Sequence, residues 1–165
     1  MLEWYGSILG KIKRAETVLA VLLFGFIVAI IAAQIFMRFV FGKPLSWAEE
    51  LASLSLIYLS FLTADIVYKE KAHISIDFLV KFFSPKLRAA AALAVYTLIG
   101  IFLAWLIPVC VALLKMQYGH ITAAVLTLPK SFWSLPVPIA FGSMLLSTGY
   151  FISEEIANLR KPSKG

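Results

Sequence analysis

The residues best suited to chemistry in this chain lie on both sides of one short turn. Arg38 precedes the turn, and Trp47, Glu49 and Glu50 follow it. Gln34 lies one helical turn before Arg38, so the two share a face if this segment is a helix. A base and two acids at one depth beside apolar runs usually meet other protein. The pattern predicts a partner-binding cluster in which Arg38 pairs with Glu49 or Glu50.

The segment after the turn carries further polar residues. Ser53 and Ser60 fall on the same helical stripe as Glu49, where small side chains let another helix approach closely. Asp65 lies near the far end, where an ionised carboxylate requires hydration or a partner such as Lys69. A proton or sodium relay at Asp65 is the weaker alternative, because no acid or histidine is expected to face it from another span.

The loop that follows this segment contains two polar residues, His73 and Asp77, within an amphipathic pattern. Aliphatic and aromatic residues share one face between Ala72 and Phe83, and Asp77 lies opposite. This predicts a short helix lying flat at the membrane interface. His73 has no cluster of acids or cysteines at metal-ligand spacing beside it, so neither a metal nor another cofactor is expected.

Four apolar runs must position these residues. They are predicted at about residues 17–41, 47–68, 87–116 and 134–156, and a helix needs about 20 apolar residues to cross a bilayer. None of them has the charged stripe of a soluble amphipathic helix. The predicted fold is therefore an all-α membrane protein, a single domain over residues 1–165 with four transmembrane helices.

Composition excludes several classes of function. With 165 residues, 61% of them hydrophobic, the chain has no room for a soluble catalytic domain, so an enzyme is not expected. The net charge is +6, and the basic residues lie beside apolar spans. Contact with membrane lipid and the insertion topology explain this basic excess better than binding of nucleic acid does. Cys110 is the single cysteine, which leaves no disulfide within the chain.

The distribution of lysine and arginine predicts the orientation. The first span is too long for a signal peptide and is interpreted as an uncleaved helix. The positive-inside rule then places both termini and the loop between spans two and three in the cytoplasm. That side carries 11 of the 15 basic residues, and the other side carries Arg38, Lys43, Lys115 and Lys130.

The partner-binding cluster around Arg38, Trp47 and the two glutamates can also be explained without a protein partner. Charged side chains near the end of a span reach towards lipid headgroups, and Trp47 suits the interface as an anchor. Both interpretations can hold for different members of the cluster.

Three segments together resemble a known family. They are the stretch from Pro44 to Leu51, the loop from His73 to Asp77, and the residues from Leu128 to Pro136. They are similar to the small membrane subunit, the DctQ-like component, of tripartite ATP-independent periplasmic (TRAP) transporters. The resemblance implies a bacterial or archaeal inner membrane protein with a large multi-spanning DctM-like subunit and a periplasmic DctP-like binding protein as partners.

The resemblance also implies a function. In such systems the large subunit holds the substrate and sodium sites and moves like an elevator, so this chain is expected to be a non-catalytic scaffold during uptake of an organic acid. The alternative is a stand-alone small multidrug-type, proton-coupled exporter. Such an exporter would carry a central acid in its first span, where this chain has Gln34 and Arg38 instead.

Overall fold

The described part of the chain is helical almost throughout. A computed structural model describes residues 2–70, 85–120 and 127–160. The helices are α1 (Leu2–Phe41), α2 (Ser46–Lys69), α3 (Pro85–Gln117), the single turn α4 (Ser131–Ser134) and α5 (Pro136–Arg160). Four segments are long and apolar enough to cross a membrane: Ile8–Phe41, Ser46–Lys69, Ala90–Gln117 and Ser131–Ala157. The predicted all-α fold with four spans is confirmed, whereas the predicted interfacial helix lies outside the described residues.

The first helix is longer than its predicted span. At 1.5 Å per residue its 40 residues extend over about 60 Å, roughly twice the hydrocarbon thickness of a bilayer. The extra length is at the amino-terminal end, where the basic segment around Lys11 continues the same helix. α1 ends before Gly42, whose φ of 61° is a left-handed conformation that glycine adopts without strain.

The spacing of Ser46 and Glu49 in the sequence predicts a capping box with Ser46 as the N-cap of the second helix, but the helix begins without a side-chain cap. Ser46 is the first helical residue, Leu45 occupies the cap position, and no side chain there bonds the helix start. The backbone N–H of Ala48 instead donates to the carbonyl of Leu45 at 3.0 Å. The capping box inferred from Ser46 and Glu49 was wrong, because the helix starts one residue earlier than that motif requires.

Helix α5 lies at the centre of the bundle. It packs most extensively on α3 and also on α2, while α1 packs chiefly on α2 and touches α5 less. A buried aromatic cluster of Tyr68, Tyr96 and Phe151 joins α2, α3 and α5. The hydroxyls of Tyr68 and Thr148 are hydrogen-bonded at 2.6 Å inside this contact. The carboxy-terminal half of α2 is therefore fixed against α5.

The outer faces of α1 and α3 lie open. Val21 on α1 is 65% exposed, and Leu98 and Trp105 on α3 are 72% and 67% exposed. Apolar surface of this extent is unfavourable in water but suits lipid or another membrane helix. The exposed faces thus agree with the predicted membrane location.

Candidate functional site

A cleft between α1 and α2 brings four of the predicted site residues together. Gln34 and Arg38 line it from α1, and Glu49 and Ser53 line it from α2. The cleft has a volume of about 370 Å³, and its remaining lining is mostly apolar. The short turn between the helices places the end of α1 beside the start of α2, as the spacing predicts. We call this group, with its apolar lining, the α1/α2 cleft.

The predicted ion pair of Arg38 is not formed. Arg38 and Glu49 are both exposed, and within the described residues Arg38 makes no ion pair. An exposed pair gains at most about 1 kcal/mol and must order two long side chains, so proximity in an open cleft does not enforce contact. Arg38 and Glu49 therefore present their charges to the surroundings of the chain.

The polar stripe of α2 lies on the outside of the bundle. Ser53 and Ser60 are exposed, and their hydroxyls donate to carbonyls one turn back, at Glu49 and Leu56, each at 2.8 Å. Trp47, at the start of the helix, is 43% exposed. Glu50 is half-buried. The buried face of α2 is formed instead by other residues, namely Ala48, Ala52, Ser55, Asp65 and Tyr68.

At the opposite end of the bundle lies a group of buried charges. Lys69 Nζ is 2.6 Å from Glu16 Oε1 and 3.0 Å from Asp65 Oδ2. The side chains of Lys69, Glu16 and Asp65 are only 4%, 14% and 3% exposed. The predicted pairing of Asp65 with Lys69 is formed. We call these three residues the buried charge triad.

Glu16 corrects one inference from the sequence. No acid was expected to face Asp65 from another span, yet Glu16 of α1 shares its lysine partner. Between Val18 and Ala33 α1 is apolar on all sides, so no hydrophobic stripe indicates which face of this segment meets α2. The signal that could have identified Glu16 is its place as the single acid close to the apolar run of α1.

Two features adjoin the triad. Lys13 and Glu70 form an outer ion pair at 2.9 Å, with side chains 39% and 47% exposed. A cavity of about 220 Å³ lies between α1, α2 and α5, with Glu16 and Asp65 in its lining. The rest of that lining is chiefly apolar.

His73 and Asp77 lie outside the described residues. In residues 2–70, 85–120 and 127–160, no group of three or more histidine, cysteine or acidic side chains is placed to hold a metal ion. The described arrangement consists of a polar cleft at one end and a buried charge triad at the other.

Comparison with known proteins gives two matches. The model of the family described as tripartite ATP-independent periplasmic transporters, DctQ component, matches residues 27–158. The sialic acid TRAP transporter permease protein SiaT of Haemophilus influenzae (strain 86-028NP) is 39% identical over 77 residues. That alignment covers 47% of this chain but only 12% of the relative, so the chain matches a small part of a much longer protein.

Proposed function

The chain belongs to the DctQ component family of tripartite ATP-independent periplasmic transporters, and we propose that it is the scaffold on which a large DctM-like transport subunit moves. In this role it carries no solute and performs no catalysis. It anchors the moving subunit in a bacterial or archaeal inner membrane, with both of its own termini in the cytoplasm. The complex takes up an organic acid together with sodium.

The observation that carries the proposal is the exposed polarity of the α1/α2 cleft. Arg38 lies in the last turn of a membrane-spanning helix and Gln34 one turn before it, beside Glu49 and Ser53. Ionisable side chains on such helices almost always face protein or a water-filled space, because lipid solvates them poorly. In the isolated chain these groups face outwards, so a partner that supplies hydrogen bonds satisfies them best.

The exposed faces of the bundle support the same role. Helix α3 packs mainly on α5, which leaves much of its circumference free for lipid or another helix. An elevator mechanism requires one element that stays in place while the transport element crosses the bilayer. A bundle held together by the aromatic cluster and the buried charge triad supplies a rigid body of that kind.

The nature of the transported compound is proposed from the relative alone. The name of that relative assigns sialic acid to the permease of Haemophilus influenzae. By analogy the substrate here is an organic acid, delivered by a periplasmic DctP-like binding protein. The α1/α2 cleft contributes to holding the large subunit or to docking that binding protein.

Copurification tests the scaffold proposal. A tagged chain should retain the large subunit in mild detergent, and Arg38→Leu should reduce the amount retained. Lys115→Leu is the matched control, because Lys115 is an exposed base in the last turn of α3, away from the cleft. Equal recovery of the large subunit with both variants would remove the cleft from the interface. Failure of the unaltered chain to retain any membrane partner would refute the proposed function itself.

Uptake supplies a second test. Glu50→Ala should lower substrate uptake by the complex while the isolated binding protein keeps its affinity for the substrate. Uptake should fall because Glu50 lies beside the cleft that is proposed to contact a partner. The affinity should not change because the binding protein itself is unaltered. Unchanged uptake would show that Glu50 takes no part in assembly.

A further inference from the structure

We infer that the cavity between α1, α2 and α5 binds one phospholipid with a primary ammonium headgroup, whose ammonium donates to Asp65. The starting observation is an unused acceptor. Asp65 is 2% exposed, and its Oδ1 atom has no hydrogen-bond partner among the described residues, although Oδ2 contacts Lys69. A buried carboxylate oxygen without a donor is costly, so a ligand that donates to it is favoured.

The cavity beside Asp65 is polar at one end and apolar along its length. Glu16, Asp65 and Ser143, one residue from each of the three helices, mark the polar end. The lining extends towards the middle of the bundle by seven residues on each helix. It runs from Glu16 to Leu23 on α1, from Asp65 to Tyr58 on α2, and from Ser143 to Pro136 on α5. Seven helical residues extend over about 10 Å. An apolar channel of that length accommodates part of one acyl chain.

The direction of the channel agrees with the position of a membrane lipid. Its polar end lies in the last two turns of α2, beside the outer ion pair of Lys13 and Glu70. That end belongs at the membrane surface, and the apolar end points towards the bilayer centre. A phospholipid in the leaflet nearest Lys69 has the same arrangement, with its headgroup outermost and its acyl chains directed inwards.

The mouth of the channel is open to lipid. α1 packs less extensively on α5 than on α2, so we place the lateral access to the cavity between α1 and α5. Leu19 of α1 and Ile139 of α5 line the cavity and are 50% and 62% exposed. Both side chains are branched and aliphatic, which suits contact with an acyl chain.

The charges of the site select the headgroup. The buried charge triad contains two carboxylates and one lysine, so one negative charge remains when all three are ionised. The ammonium of a zwitterionic phospholipid places a positive charge against these carboxylates and donates a hydrogen bond to Oδ1, while the phosphate of the same lipid stays outside the cavity. A quaternary choline group carries the same charge but has no N–H to donate. A glycerol headgroup supplies no positive charge, so an anionic lipid is disfavoured.

Native mass spectrometry of the complex between this chain and its large subunit tests the inference. The complex is stripped of lipid in detergent and titrated with phosphatidylethanolamine, phosphatidylcholine or phosphatidylglycerol that carry identical acyl chains. We expect one phosphatidylethanolamine to bind about tenfold more tightly than phosphatidylcholine, the difference expected for a hydrogen bond to a charged group.

Two variants locate the lipid and one serves as control. Asp65→Asn removes the charge, and Ser143→Leu fills the polar end of the cavity without altering any ion pair; each should abolish the headgroup preference. Thr97→Leu changes an exposed hydroxyl residue on α3, outside the cavity, and should leave the preference intact. If Asp65→Asn fails to fold, the headgroup preference measured for Ser143→Leu alone decides whether the inference stands.

Three results would overturn the inference. The first is equal binding of phosphatidylethanolamine and phosphatidylcholine to the unaltered complex. The second is retention of the preference in Ser143→Leu at the level of Thr97→Leu. The third is the absence of any bound phospholipid, which would leave internal water as the donor to Asp65. None of these results bears on the scaffold role, because each concerns the binding of a lipid and not the recovery of the large subunit.

Discussion

Replacement of Lys69 by methionine tests how α1 and α2 are held together at the end of the bundle away from the α1/α2 cleft. Lys69→Met keeps an unbranched side chain that is one atom shorter and removes the charge. Lys69 Nζ contacts Glu16 at 2.6 Å and Asp65 at 3.0 Å, so the change leaves two carboxylates facing each other without a cation. We expect a large loss of stability.

The magnitude follows from burial. The three side chains of the buried charge triad are 14% exposed or less. Removal of one partner from a buried ion pair typically costs about 3–5 kcal/mol, because the remaining charge stays desolvated. Lys13→Met breaks the outer pair with Glu70, whose side chains are 39% and 47% exposed, and should cost about 1 kcal/mol or less.

Unfolding of the purified chain in bicelles, followed by circular dichroism as the SDS fraction rises, measures both variants against the unaltered protein. The triple variant Glu16→Gln, Lys69→Met, Asp65→Asn separates charge from packing. Because it leaves no buried charge unpaired, it should regain much of the stability lost in Lys69→Met. A Lys69→Met protein within 1 kcal/mol of Lys13→Met would refute the reasoning, because the triad would then be solvated like a surface pair.

Three further results are expected. Thr148→Val, which keeps the shape of the side chain but removes the partner of the Tyr68 hydroxyl, should destabilise the bundle by about 1–3 kcal/mol in the same unfolding assay; no change would mean that water replaces the lost bond. Arg38→Ala should lower substrate uptake in cells without changing substrate affinity of the purified binding protein, and normal uptake would contradict a role at the interface. In a cysteine-free background, a membrane-impermeant maleimide should label Lys43→Cys in intact cells but Glu70→Cys only after permeabilisation, and the reverse pattern would invert the proposed orientation.

The spans could be predicted from the sequence because each depends on one local property. A long run of apolar residues is sufficient to indicate a membrane helix, and the observed helices α2 and α3 begin and end within two residues of the predicted limits. The short turn after Phe41 also predicted correctly that Arg38 and Glu49 lie near each other. Such inferences do not depend on which face of each helix is turned towards the other helices.

The contacts between helices could not be predicted in the same way. Helices that are apolar on every side carry no stripe that distinguishes a face against protein from a face against lipid. For this reason the meeting of Glu16 with Lys69 was missed, although the pairing of Lys69 with Asp65, one turn apart on the same helix, was found. The ion pair expected for Arg38 failed for a related reason, since common depth does not determine contact in an open cleft.

Reconstitution into liposomes tests most directly the proposal that this chain supports a transporter and carries no solute itself. The chain alone, the large subunit alone and the two together are compared for uptake of an organic acid under a sodium gradient, each with the binding protein added. Uptake only when both subunits are present is the predicted result. Sodium-driven uptake by liposomes that contain this chain without the large subunit would contradict it.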